Sequence, residues 1–254
     1  MIAVQSIHAF NNSNFKGNYA LRLMGPSSLV TTAESMTVAT GLINADGKGH
    51  VTGHGKFRSH GVTCDGTIKG TYIIQLNGTG TLSSIFNTST PGCFNSVFDF
   101  SLALSNNGKS FELANTENDY MVGKLSRQDK INFKPSDLSG TYALSLQGTS
   151  SIVKANQAIT VGTGVITADG HGGTTGTGTL RSAETTCHGN FSGNYVLNTD
   201  GTGTFATNFT TSSPGCFSSV VDMSIALFNK GNGVDLANIE NDYLSGTLKR
   251  QIFR

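Results

Sequence analysis

The chain has 254 residues and a formal net charge of +1, and only 13% of its residues are Asp, Glu, Lys or Arg, about half the usual ~25%. With no basic run it offers no electrostatic footprint for nucleic acid or an anionic membrane, and no apolar stretch approaches the ~18 residues a membrane helix needs. Its 32 glycines, with abundant Thr, Ser and Asn, favour strands and tight turns over helices, Thr by β-branching and Gly and Asn by tolerating positive φ.

The N-terminus, MIAVQSIHAFNNSN, has neither a basic start nor a long apolar core and does not read as a signal peptide. Residues 1–14 are expected to be an extension. In GNYALRLMG, Tyr19, Leu21 and Leu23 alternate with Asn18, Ala20 and Arg22, the period of a half-buried strand. Asp46-Gly47, Asn77-Gly78 and, more loosely, Asn107-Gly108 punctuate the chain beyond this strand; the first two read as two-residue type I′ hairpin turns. In VFDFSLALS, Phe98, Phe100, Leu102 and Leu104 alternate with Asp99, Ser101 and Ala103. No helical stretch appears.

From residue 140 the sequence repeats. An offset of 123 carries Gly17 onto Gly140, Asp46-Gly47 onto Asp169-Gly170, Cys64 onto Cys187 and PGCF (91–94) onto PGCF (214–217). It also carries Glu117-Asn118-Asp119-Tyr120 onto Glu240-Asn241-Asp242-Tyr243, without a gap from Gly17 to Arg127. About half of the aligned positions are identical, so a whole unit was duplicated. The organisation read from this is an extension (1–14), a first repeat (15–128), a linker (129–136) and a second repeat (137–254). About eight antiparallel strands per unit, joined by hairpins, would expose edges unless the sheet closes. The expected fold is all-β: two tandem, duplicated antiparallel β-barrels, with β-sandwiches as the alternative. A single sixteen-stranded membrane barrel is disfavoured, because the chain has no Trp and no aromatic girdles.

The four cysteines recur with the duplication, so bridges within each unit, Cys64–Cys93 and Cys187–Cys216, are the economical pairing, although four cysteines allow three. Each would close a loop worth ~3–4 kcal/mol. Buried free thiols are the competing reading. Metal or redox chemistry would want a C-x-x-C motif, which is absent.

Duplication also marks polar residues that do something shared: Arg58/Arg181, Asp99/Asp222, Asn115/Asn238, Glu117/Glu240, Asp119/Asp242 and Tyr72/Tyr195. Parity along FELANTEND puts Glu117, and with it Glu240, on the apolar face near a barrel rim, where desolvation would raise a carboxylate pKa. Glu117, Glu240, Tyr72 and Tyr195 are thus the candidate catalytic residues, and Arg58, Asn115, Arg181 and Asn238 the candidate ligand contacts. Against this, Asn118-Asp119 reads as a turn, with Glu117 merely flanking it and Arg58 or Arg127 pairing its charge; Asp99 and Asp222 by default face solvent or the other barrel. His50, His54 and His60 share strand parity but are not duplicated. At ~13 Å between i and i+4 they are too far apart for one metal, and surface positions are expected. ADGKG lacks the oxygen series of a calcium loop, and no G-x-S-x-G or phosphate-binding loop is present. Neither metal nor cofactor is implied.

GTYIIQLNGTGT (70–81), GNYVLNTDGTGT (193–204) and SGTLKRQ (245–251) resemble a loosely defined group of secreted or envelope-associated bacterial proteins built from Gly/Thr-rich units. The resemblance covers nearly all of both repeats and implies an extracytoplasmic home, as bridges and low charge also do. The barrels are also similar in architecture to lipocalin-like and allene-oxide-cyclase-like folds; the missing Trp departs from the lipocalin pattern. Three functions are compatible with the residues: an envelope protein holding a small apolar ligand in a barrel, a cyclase or isomerase that folds its substrate there, and a structural or adhesive repeat protein with filled barrels. The first two require a cavity of a few hundred Å³.

Overall fold

The computed structural model describes residues 9–31, 33–153 and 157–252, so residues 1–8 of the N-terminal extension lie outside it. The first barrel contains β1 (Lys16–Ser27), β2 (Ser35–Asp46), β3 (His50–Ser59), β4 (Val62–Ile74), β5 (Thr79–Thr88), β6 (Ser96–Ser105), β7 (Ser110–Asn115) and β8 (Val122–Arg127). The second contains β9 (Ser139–Ser150), β10 (Ala158–Asp169), β11 (Gly173–Ser182), β12 (Thr185–Leu197), β13 (Thr202–Thr211), β14 (Ser219–Phe228), β15 (Gly233–Asn238) and β16 (Tyr243–Arg250). Within each barrel every strand pairs with its sequence neighbours, and each sheet closes on itself. In the first, β1 meets β8 from Tyr19↔Arg127 to Met24↔Val122; in the second, β9 meets β16 from Tyr142↔Arg250 to Thr149↔Tyr243. Closure leaves no ladder edge unpaired, which a sandwich would not achieve.

The turns differ from the two-residue I′ expectation. Type I′ needs positive φ at both central residues, yet Gly47 (φ 78°) and Gly49 (φ 115°) adopt it while Asp46 does not. Asp46 stays extended and its carboxylate accepts hydrogen bonds from the Lys48 and His50 amides (2.6 and 3.0 Å). Asp169 does the same for His171 and Gly173. The side chain therefore closes a longer loop.

Inward positions fill the barrels. Phe57 packs on Phe86 and Phe98 with ring centres 4.6 and 5.4 Å apart, and inward glycines make room for rings. A Cβ on Gly66 would lie 2.6 Å from the Phe86 ring, and one on Gly189 2.6 Å from that of Phe209. In the second barrel Leu180, Val221 and Met223 stand where the first has Phe57, Phe98 and Phe100. The smaller side chains leave an apolar void of only about 30 Å³.

Both ends of each barrel are sealed by duplicated devices. At one end a single 3-10 turn, Asn12–Asn14 in the first barrel and Pro135–Asp137 in the second, leads into a buried plug, Phe15 or Leu138. Phe10 and Phe133, one offset apart, donate their amides to the Leu76 and Thr199 carbonyls. The segments read from sequence as an extension and a linker are thus one repeated strap, in which Phe10 and Phe133, and Ser13 and Ser136, match across the offset. At the other end the disulfides Cys64–Cys93 and Cys187–Cys216 form, with Cα atoms 5.9 and 5.8 Å apart. Beside them Phe94 and Phe217 donate amide hydrogen bonds to the carbonyls of the buried Leu29 and Ile152.

Candidate binding surface between the barrels

The duplicated polar residues take places in this framework. Tyr72 donates its hydroxyl to the Phe15 carbonyl (2.7 Å), and Tyr195 to Leu138 (2.9 Å), so both phenols tie down the strap; burial pushes both pKa values up. Asn115 and Asn238 donate side-chain amides to the Asp99 and Asp222 carbonyls (2.9 and 3.1 Å), linking neighbouring strands at the rim. Asp119 is buried and accepts from the Ser28 amide and hydroxyl (2.9 and 3.1 Å); Asp242 does so from Ser151 (3.0 and 3.2 Å). These carboxylates staple the loop after the first strand of each barrel. Burial, and then the Glu240 charge, raises the pKa of Asp222.

Glu117 and Glu240 do not face the interior. β7 and β15 end at Asn115 and Asn238, so strand parity stops two residues short, and both glutamates are exposed. Their carbonyls accept the amides of Asp119 and Asp242 across a tight turn. Arg127 pairs with Asp129 instead (3.1 Å). Arg58 donates to the Gly61 carbonyl (2.8 Å) and stacks over the Tyr243 ring, 5.7 Å from its centre. Arg181, its counterpart, donates to the Thr186 hydroxyl (3.2 Å). The candidate residues are therefore spread over strap, rims and loops, and no two of them form a nucleophile–base pair.

The structure does concentrate charge where the barrels meet, a place the strand pattern does not mark. The outward side of β2 packs against β14, β15 and β16. Val38, Thr40, Ser224, Ala226, Asp235 and Ala237 are buried there, with Thr40 donating to the Ser224 hydroxyl (2.6 Å). Arg22 approaches Asp235 (Nε to Oδ1, 3.2 Å) at a carboxylate only 1% exposed. Desolvation outweighs the guanidinium's attraction, and the Asp235 pKa is pushed up to about 7. His54 stays half-exposed and pairs with Asp200 of the second barrel (2.9 Å), a partner that strand parity does not show. That hydrogen bond raises the pKa of His54 and lowers that of Asp200 to about 2. His50 and His60 are exposed.

Beside Arg22 and Asp235 lies a cleft of about 370 Å³ that also takes in Lys109, Lys124, Arg127, Asp129 and Lys249. Lys124 pairs with Glu112 (2.8 Å), whereas Lys109 and Lys249 have no ion pair among the described residues. The excess of cations suits an anionic group.

No known protein family model matches the chain, and no curated protein matches it. Among solved structures, it is similar to the isotype 1 transferrin binding protein B from serogroup B Neisseria meningitidis. That likeness has 8% identity and a TM-score of 0.38, and covers 93% of this chain and 75% of the other. So distant a likeness carries no information about function.

Proposed function

We propose that the protein is a structural or adhesive repeat protein of the extracytoplasmic space, whose two filled barrels act through their outer surfaces. The filled interiors carry this reading. A bound apolar ligand or a folded substrate needs a cavity of a few hundred Å³, and the void inside the second barrel is about 30 Å³. Phe57, Phe86, Phe98 and Phe100 occupy the corresponding space in the first. The two bridges, the sparse surface charge and the Gly/Thr-rich resemblance support the location, since such bridges persist in oxidising compartments. A second reading rests on the cleft at Arg22, in which the barrel pair binds an anionic group.

Native mass spectrometry of protein purified from its own host tests the first reading. The expected result is a bare polypeptide that gains ~4 Da on reduction. A stoichiometric apolar compound released on denaturation would overturn it. Titration with inorganic phosphate, followed by NMR shifts at Lys109 and Lys249, tests the second; unmoved resonances would exclude it.

A further inference from the structure

Within the chain the barrels meet through unlike faces. The first contributes β2 and its flanks; the second contributes β14–β16. A contact of this heterologous kind leaves one complementary face free at each end of the molecule. In the first barrel a groove over Thr40, Gly41, His54 and Gly55 is roofed by Thr202, Gly203, Thr204 and Ser224 of the second. The corresponding groove of the second barrel, over Thr163, Gly164, Thr177 and Gly178, stands open with a volume of about 550 Å³. The residues that correspond to the roof are Thr79, Gly80, Thr81 and Ser101. They are the same four residue types, and Thr79, Thr81 and Ser101 are exposed.

We propose that the open groove of the second barrel receives the β5–β8 face of the first barrel of another copy of this chain, so that copies add head to tail. The covered interface supplies the template. Thr163 and Ser101 take the places of the bonded Thr40 and Ser224, and Arg181 and Tyr120 those of the stacked Arg58 and Tyr243. Val161 stands where Val38 is fully buried, yet it is 52% exposed, and Tyr120 is 69% exposed. Two ion pairs are not repeated. Ser145 and Glu112 replace Arg22 and Asp235, and Thr177 and Asn77 replace His54 and Asp200. The contact between copies also lacks the tether that joins the barrels within a chain, which supplies an effective concentration on the order of mM. It is therefore weaker than the internal one. This deepens the structural reading above by naming the partner, but its geometry does not require filled interiors.

Sedimentation velocity of the full chain from about 10 μM to about 1 mM tests it. The expected result is a rising series of dimers and longer species that does not stop at the dimer. Val161→Glu blocks the groove and Ala114→Glu blocks the opposite face; both sites are exposed, and unchanged melting temperatures establish folding. Each variant alone should be monomeric, and the two mixed should give a dimer and nothing larger. Arg181→Ala, a milder truncation, should weaken association. A wild-type chain that stays monomeric at about 1 mM overturns the proposal, as does a closed dimer, or association that neither glutamate affects. A bound compound found by native mass spectrometry would overturn the filled-barrel reading without touching this one.

Discussion

Asp235→Asn separates two opposite accounts of the buried pair. Asp235 is 1% exposed, its ionic partner is Arg22 (3.2 Å), and its pKa is pushed from 3.8 to about 7. Between those values the folded protein binds the proton more tightly than the unfolded chain, so stability falls as pH rises. This group's contribution is fully present below pH ~3.8 and lost as pH passes through about 7. At 1.36 kcal/mol per pH unit the interval corresponds to about 4 kcal/mol. Asparagine keeps the shape of the protonated acid without its charge. Urea unfolding should therefore find Asp235→Asn about as stable as the parent at pH 3, more stable by ~1–2 kcal/mol at pH 5 and by ~4 kcal/mol at pH 8. If instead the guanidinium pairing dominates, removing the carboxylate should cost ~3–5 kcal/mol. A variant less stable than the parent at pH 8 would refute the desolvation argument.

Tyr72→Phe and Tyr195→Phe should each lose ~1–2 kcal/mol in urea unfolding, because the strap carbonyls of Phe15 and Leu138 lose a buried donor. The two losses should add, since they lie in different barrels. Replacing Cys64 and Cys93, or Cys187 and Cys216, by alanine should cost ~3–4 kcal/mol for each bridge, read from the melting of singly and doubly bridged proteins. His54 should titrate above its ordinary value of 6.5 in an NMR pH series, because Asp200 holds its proton, and Asp200→Asn should bring it down. The His54 contribution to stability is therefore fully present below pH ~6.5 and lost as pH rises through the raised pKa. A His54 that titrates identically in both proteins would mean that the contact does not persist in solution.

The duplication and the antiparallel meander were legible in the sequence because each leaves a local or periodic trace, whereas the duplication only favoured one of three cysteine pairings, which the structure forms. Alternation in GNYALRLMG and VFDFSLALS reports which side chains turn inward, and the 123-residue offset reports that the solution was used twice. Parity alone put Glu117 inward, whereas the turn signal of Asn118-Asp119 left it outside, where it lies; parity says nothing about where a strand ends, and β7 ends at Asn115. The strap left only a faint trace. Phe10 and Phe133 match across the offset, but Asn12 and Pro135 share a backbone path without a residue type, and a bond from Tyr72 to a main-chain carbonyl imposes no side-chain signature.

What only the tertiary structure decided is which outward faces are covered. Val38 and Val161 occupy equivalent positions, as do Asp235 and Glu112, yet one of each pair is buried and the other is exposed. A strand's own pattern records its relation to the sheet it belongs to. Docking of one closed barrel on another joins residues almost two hundred positions apart, such as Thr40 and Ser224, and no local periodicity records it. The same separation turns an ordinary surface aspartate into a desolvated one, and the electrostatics of Asp235 follow from the neighbouring barrel rather than from the residues beside it in the chain.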